Sequence, residues 1–404
     1  MRSLHSHNLR VATRGTSREI NRRIALNLIR TNQPISRADL ARLMGTRRGA
    51  VSLLVGELIQ RGAVFEGALG EAKRGRKPTF LYIDSRKRCV VAIDIRPTRT
   101  FMMVTDLVGH QLASVTSFPT EHEPKRFVAS LAKRVKAVLA ESRELGRCQG
   151  VGVVVPGMVE ADTGKVLRAP NLGWRDFSLR NPLAKALGLP VLIENAGKAC
   201  ALAQVWATRG AQAPTNFVYI SVSDGLGVGI VVGGEVVRGQ HNIAGEFGHV
   251  PLNVDGPRCG CGASGCWEAY VSNLATLSRY FGREVGDHPV SPDVAALTVG
   301  DLIARARVGD AKALDAIMST GRYLGLGLGS VVNAIDPSHV FIGGEITAAW
   351  DLIEAAVRGA LAERALTLSA SATPIVIVPP EQFPRLRGAA ALVAAPSFAR
   401  EVVA

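Results

Sequence analysis

Between residues 249 and 268 the chain reads HVPLNVDGPRCGCGASGCWE, and no other stretch restricts the fold as tightly. Three of its six cysteines, Cys259, Cys261 and Cys266, lie close together, and His249 stands shortly before the first. One imidazole and three thiolates complete a tetrahedral nitrogen–sulfur shell, the donor set of a closed zinc site. Gly260 and Gly262 allow the Cys-x-Cys backbone to fold tightly round an ion. The competing reading is a reactive or simply buried cysteine cluster.

The compartment bears on that choice. The N-terminus, MRSLHSHNLRVATRGTSREI, has no apolar signal core, and no apolar run in the chain reaches the length of a membrane span. A cytoplasmic location is therefore expected, with no membrane partner. Clustered cysteines there more often hold metal or do redox work than form disulfides.

Charge divides the chain in two. Residues 1–88 carry 19 Lys+Arg against 6 Asp+Glu, a net of +13 out of a total of +14. The rest, at 29 against 28, is close to neutral. A basic module on a neutral body points to nucleic acid or an anionic surface, the alternative being a solvated basic segment.

The basic module has internal order. Ile20, Ile24, Leu28 and Ile29 recur at helical spacing, and Pro34 then interrupts the chain. Ser36 is a suitable N-cap for a short helix carrying Leu40 and Leu43, and Gly45 supplies a turn. A third helix follows, with Val51, Leu54, Val55 and Leu58 inward and Gly62 as its stop; Thr46 is a candidate cap, although Arg47 stands where a small hydroxyl residue is more usual. Beyond it, AVFEGAL and TFLYID read as strands joined by the basic loop GEAKRGRKP. This is the pattern of a winged helix-turn-helix spanning 1–85. Arg47, Arg48 and Ser52 take the early, outward positions of the recognition helix, suited to double-stranded operator DNA. Arg74 and Arg76, flanked by Lys73 and Lys77, form a wing able to enter a narrow minor groove, or else a plain basic linker.

From Cys89 the pattern changes to apolar runs alternating with helical stretches: CVVAIDIRPTRTFMMVTDLVGHQLASVTSF, then FVASLAKRVKAVLAESRE, GVGVVVPGMV, PVLIEN, FVYISVSDGLGVGIVVGG and HVFIGGE. That alternation implies an α/β domain over 86–404, with Gly-rich turns at strand ends where ligands commonly dock.

In this order the pieces resemble the ROK family of repressors and sugar kinases, most specifically through GEFGHVPLNVDGPRCGCGASGCWEAY, with PGMVE, APNLGW, VSDGLGVGIVVGG and FIGGE in the expected sequence. The resemblance covers essentially the whole chain and is to the N-acetylglucosamine-, glucose- and xylose-responsive repressors, which carry a winged helix that the kinases lack. It implies an actin-like, ribonuclease H-like, two-lobed sugar-kinase fold. Lobe one would span about 86–193 plus the C-terminal helix, and lobe two about 194–387 with the metal site. It maps structural zinc onto His249, Cys259, Cys261 and Cys266, and sugar contacts onto Asn195, Glu246, His249 and Glu268. Zinc on one nitrogen of His249 would fix the direction of the other.

Two departures from the kinases bear on activity. Where they resemble D-x-G-G-T-K, this chain has DIRPTR, residues 94–99, with Arg96 and Pro97 in place of two glycines; Pro97 has no N–H to offer a phosphate. Where they carry E-N-D-x-N, this chain has ENAGK, residues 194–198. Ala196 takes the place of the general base and accepts no proton. No catalytic residue is expected. The cationic Arg96 and Lys198 either hold a sugar phosphate or acidic sugar, or point to solvent or pair with carboxylates. The expectation is a sugar-responsive transcriptional regulator, a repressor of carbohydrate uptake or catabolism acting as a homodimer or tetramer, with a sugar or sugar phosphate effector. The alternatives are an ATP-dependent ROK sugar kinase with residual activity and a ligand-independent DNA-binding protein.

Overall fold

The computed structural model describes residues 14–69, 79–85, 87–141, 145–160, 162–208, 213–283 and 297–398. The first unit runs α1 (Arg14–Asn32), β1 (Ile35–Ser36), α2 (Arg37–Leu43), α3 (Arg48–Gln60), β2 (Val64–Leu69) and β3 (Thr79–Ile83), with strand order β1-β3-β2. Ser36 caps α2 reciprocally: its Oγ accepts from the Asp39 N–H at 3.1 Å and donates to Asp39 Oδ2 at 2.7 Å. Gly45, at φ +61°, makes the turn into α3. The cap of α3 is Arg47, with no side-chain bond, so Thr46 does not serve. Val51, Leu54, Val55 and Leu58 are buried with Ala25 and Ile29 of α1, as their spacing predicts. Leu43 is not: it is 54% exposed. Strand β1, too short to leave a pattern of its own, is an addition to the two strands read from sequence.

The body follows as β4 (Arg88–Ile95), β5 (Arg99–Asp106), β6 (Thr116–Pro119), α4 (Pro124–Glu141), β7 (Arg147–Val155), β8 (Met158–Glu160), β9 (Lys165–Ala169), β10 (Trp174–Ser178), α5 (Arg180–Leu187), β11 (Val191–Asn195) and α6 (Ala196–Ala207). Then come β12 (Phe217–Val222), β13 (Leu226–Val232), β14 (Glu235–Val236), α7 (Glu268–Val271), α8 (Asn273–Phe281), α9 (Val299–Arg307), α10 (Ala311–Ile335), β15 (His339–Gly344), α11 (Trp350–Arg364), α12 (Leu368–Ser371), β16 (Ile375–Val378) and α13 (Pro384–Ala394).

Besides a small antiparallel sheet of order β10-β9-β8, these strands form two five-stranded sheets of one topology. The first has the order β6-β5-β4-β7-β11, the second β14-β13-β12-β15-β16. In each, the first three strands are antiparallel neighbours and the first, fourth and fifth run parallel. The central strands β4 and β12 are buried almost throughout, as strands covered on both faces must be. Each sheet also lends its last helix to the other. Helix α6, leaving β11, packs on β12 and β13, while α13, leaving β16, packs on β4 and β7, and the two helices pack on each other. Glycines make the close approach: a Cβ on Gly388 would strike the Ala199 carbonyl, and one on Gly197 would strike the Gly227–Val228 backbone. The carboxyl ends of both sets of parallel strands therefore face one cleft, where ligands bind in open α/β sheets. Among the described residues, no helix is long and apolar enough to cross a membrane.

Candidate functional site

The cysteine segment folds back on itself in a short span. The Leu252 N–H donates to the Gly265 carbonyl at 2.8 Å, Trp267 N–H to Val250 at 3.0 Å, and Cys259 N–H to Ala263 at 2.8 Å. The glycines that the turn requires are Gly262, at φ +97°, and Gly265, at φ +72°, where a Cβ would also run into the Asn253 carbonyl. Gly260, expected to serve the turn, is not in the left-handed region, and a Cβ there would make only ordinary contact with Asn171 and Pro170. Trp267 pins the segment to α10 by donating Nε1–H to the Tyr323 carbonyl at 2.9 Å.

One donor atom from each of His249, Cys259, Cys261 and Cys266 lies within 4.8 Å of all the others. Cys261 Sγ and Cys266 Sγ are 3.6 Å apart, and Cys259 Sγ is 3.7 Å from His249 Nδ1. A tetrahedral ion with Zn–S bonds of about 2.3 Å needs an S···S edge of about 3.8 Å and an S···N edge slightly shorter. The knot matches those edges with no open position, so the donor set is compatible with structural zinc. Burial pushes the Cys259 and Cys266 thiols up, so a cation binding there must displace protons.

His249 joins the knot to the cleft. Its Nδ1 faces the sulfurs, and its Nε2 lies 3.8 Å from Glu246 Oε2. Glu268 tethers the start of β13 to the knot, its Oε2 accepting the Leu226 N–H at 2.8 Å and its Oε1 the Cys259 thiol at 3.5 Å. Burial raises the Glu246 carboxyl, while Lys198 and His249 pull it back. Asn195, Ala196, Asp224, Glu246, His249 and Glu268 all line one cavity. Asn195 is heavily committed: its Oδ1 caps α6 by accepting from the Gly197 and Lys198 N–H groups, and its Nδ2 donates to the Gly157 carbonyl at 2.9 Å. Only one amide hydrogen remains for a ligand. Asp224 was missed by sequence reading. Burial raises its carboxyl first, with Glu345 adding to the shift. Its signal lay in the SDG turn that ends β12, quoted in VSDGLGVGIVVGG without weight on the aspartate.

The two new cations face inward. Lys198, 1% exposed, donates Nζ–H to the Asn242 carbonyl at 3.0 Å, and burial lowers its pKa against the pull of Glu246 and Glu194. Arg96 pairs with carboxylates, donating to Asp94 Oδ2 at 2.9 Å on its own lobe and to Glu345 Oε1 at 2.6 Å at the end of β15. Arg385 of α13 meets the other Asp94 oxygen at 2.8 Å. Burial disfavours the Glu345 carboxylate, yet Arg96 and the Asn273 amide outweigh it and hold its pKa below the usual range. In the first unit Arg47, Arg48 and Ser52 are exposed at the start of α3. Arg74 and Arg76, with Lys73 and Lys77, lie outside the described residues.

Comparison with known proteins accounts for this architecture. The xylose repressor of Bacillus subtilis is 28% identical over 348 residues, covering 86% of this chain and 88% of the relative. The glucokinase of Streptomyces coelicolor is 32% identical over 273 residues, covering 65% and 84%. A crystal structure of a ROK family transcriptional regulator, a homologue of the E. coli MLC protein, superposes with a TM-score of 0.76 at 26% identity, covering 95% of this chain and 98% of that one. Residues 90–395 match the ROK family as a whole, and the chain belongs to that family.

Proposed function

We propose that the chain is a sugar-responsive, DNA-binding transcriptional regulator, a repressor of carbohydrate uptake or catabolism genes acting in the cytoplasm. The observation that carries this reading is the breadth of the repressor likeness: a ROK regulator structure covers 95% of the chain, basic first unit included, whereas the glucokinase match covers 65%. Residues 1–85 are a winged helix-turn-helix, with Arg47, Arg48 and Ser52 of α3, and Arg74 and Arg76 of the wing, meeting operator DNA. Residues 86–404 are an effector domain of two lobes, about 86–193 plus α13 and about 194–387. A homodimer or tetramer presents two such modules to a palindrome. His249, Cys259, Cys261 and Cys266 hold a structural zinc, which stiffens the wall from which Glu246, His249, Glu268 and the remaining Asn195 hydrogen meet sugar hydroxyls. Zinc on Nδ1 leaves the His249 Nε2 side for the sugar.

The domain binds sugar without phosphorylating it. Ala196 places a methyl group on the cavity wall where a kinase needs a base, and Arg96 is spent on Asp94 and Glu345. With both cations already engaged, the effector is a neutral sugar in preference to a sugar phosphate. The relatives' name makes D-xylose the first to test. Recovery of genomic fragments on the purified, zinc-loaded protein tests the reading. A few sharp peaks sharing a palindrome, weakened about tenfold or more by Arg48→Ala and shifted by a sugar, are expected. Diffuse recovery insensitive to Arg48→Ala would overturn it.

A further inference from the structure

Helix α6 has an unusual pair of ends. Its N-terminus is the pocket: Asn195 caps it, Ala196 lines the cavity, and Lys198 lies against the Asn242 carbonyl beside Glu194. Near its C-terminus, about 15 Å from Ala196 at 1.5 Å per residue, stands Trp206, and on that indole the first unit rests against the body. Arg30, near the end of α1, lays its guanidinium 3.8 Å from the Trp206 ring centre and donates to the Trp206 carbonyl at 3.0 Å. Asn27, one turn earlier in α1, accepts from the same guanidinium at 3.1 and 3.3 Å and helps hold it over the ring. Phe398 closes the other side, edge-on to Trp206 at 5.4 Å and 5.8 Å from the Arg30 guanidinium carbon. Arg30 is only 6% exposed. A desolvated, planar, hydrogen-bonded cation on an indole fixes both angle and distance, which a loose apolar contact does not.

The first turn of α6 is held as firmly. It lies between β13 of one lobe and α13 on the other, at the glycine approaches of Gly197 to β13 and of Gly388 to Ala199, which leave no room to slide without moving a neighbour. A change in lobe closure therefore moves α6 as a body, and Trp206 with it.

We propose that α6 is the element that carries pocket occupancy to the DNA-binding unit, and that Arg30 and Trp206 are the positioning residues that convert its movement into a change in the attitude of α1. This rests on the functional reading above and names its regulation. Helix α1 packs in turn against α3, with Ala25 and Ile29 in one core with Val51, Val55 and Leu58, so tilting α1 tilts the helix that carries Arg48. Coupling of this kind is a difference between two states that both ends must bias.

The test is a comparison of wild type, Arg30→Ala, Arg30→Lys, Trp206→Ala and Trp206→Phe, each checked for zinc content and cooperative melting. The sugar is whichever of D-xylose, D-glucose and N-acetyl-D-glucosamine binds wild type by calorimetry, and the DNA is the palindrome recovered from genomic fragments. In Arg30→Ala and Trp206→Ala, sugar affinity stays within about twofold of wild type, while the sugar-induced change in operator affinity shrinks at least about fivefold. Trp206→Phe, which keeps a ring under the guanidinium, retains most of the response. Arg30→Lys, which keeps the charge but not the plane, loses most of it. Wild-type response in both Arg30→Lys and Trp206→Ala overturns the coupling and leaves the function standing. A wild type that binds none of the sugars, or whose operator affinity ignores them, overturns the functional reading and the coupling together.

Discussion

The two ends of the cleft treat their charges in opposite ways. At the knot end, Glu246, His249 and Glu268 converge on one cavity and keep oxygen and nitrogen atoms turned toward it. At the other end, Asp94, Arg96, Arg385 and Glu345 answer one another, two guanidiniums against two carboxylates, and the Arg96–Glu345 pair joins the end of β4 to the end of β15. An anionic ligand entering that second end must take Arg96 from its carboxylates and leave them facing its own charge. A hydroxyl-rich ligand entering the first finds acceptors held by backbone and knot. Both ends are cavities, but the second is lined by side chains that already answer one another's charge.

The sharpest way to break that contrast is to remove the proposed zinc. Treatment with a strong chelator, or Cys266→Ser, should take zinc from about one per chain to none and abolish sugar binding. The four proposed ligands draw His249 and the cysteine turn together, and structural zinc commonly contributes on the order of 10 kcal/mol to its local fold. Elemental analysis with calorimetry reads both quantities. A metal-free protein that binds sugar as before would mean that the knot supports nothing in the pocket.

Next in size are Glu246→Gln and Glu268→Gln. Hydrogen bonds to charged groups are worth about 1.5–3 kcal/mol, so each should weaken sugar binding about 10- to 100-fold, with operator affinity in the absence of sugar little changed. Glu268→Gln should also loosen the start of β13, because its Oε2 holds the Leu226 N–H, and a fall in melting temperature should accompany it but not Glu246→Gln. An unchanged sugar response in both variants would sink the pocket assignment.

How much of this was readable in advance follows the range of each interaction. Helix α3 declared its inward face by spacing, the long strands declared themselves by apolar runs, and the knot ligands lie close enough in sequence to be seen together. What depended on distant partners was not visible. Arg96 was noticed as an odd replacement, but Glu345, which neutralises it, is 249 positions away. The three-stranded meander β8–β10 and strand β16 lacked runs long enough to stand out. Leu43 reads as core by residue type, yet as the last residue of α2 it is exposed. Gly260 and Gly265 are indistinguishable by composition, and only the path of the chain past Asn253 decides which one must be glycine. Asn195 shows the subtlest limit: its placement on the cavity is as expected, yet most of its hydrogen-bonding capacity is spent on capping α6.

Arg96→Ala probes the charge-paired end. Removing one partner of a fully buried pair costs about 3–5 kcal/mol, but Arg96 and Glu345 keep 27% and 29% of their side-chain surface exposed. Solvent screening brings the expected loss to about 1–2 kcal/mol. Denaturant melts of Arg96→Ala, Glu345→Gln and the double variant should show the second substitution costing little once the first is made. Full additivity would mean that the pair does not join the lobes.

The smallest expected effect sharpens the contrast most. Ala196→Asp restores a carboxylate at the first position of α6, where the helix dipole favours it, so the fold should be unharmed. A positioned base contributes about 10²–10⁴ in rate, but only to a sugar hydroxyl that already faces a held phosphate donor. With Arg96 still bridging Asp94 and Glu345, and Pro97 unable to donate an N–H, that donor is expected to be poorly held. Ala196→Asp alone should therefore consume no ATP above background with any bound sugar, while the combination of Ala196→Asp with Arg96→Gly and Pro97→Gly should be the first variant to show turnover. Turnover near one per second from Ala196→Asp alone would show that the second end admits a nucleotide despite the Arg96 pairs.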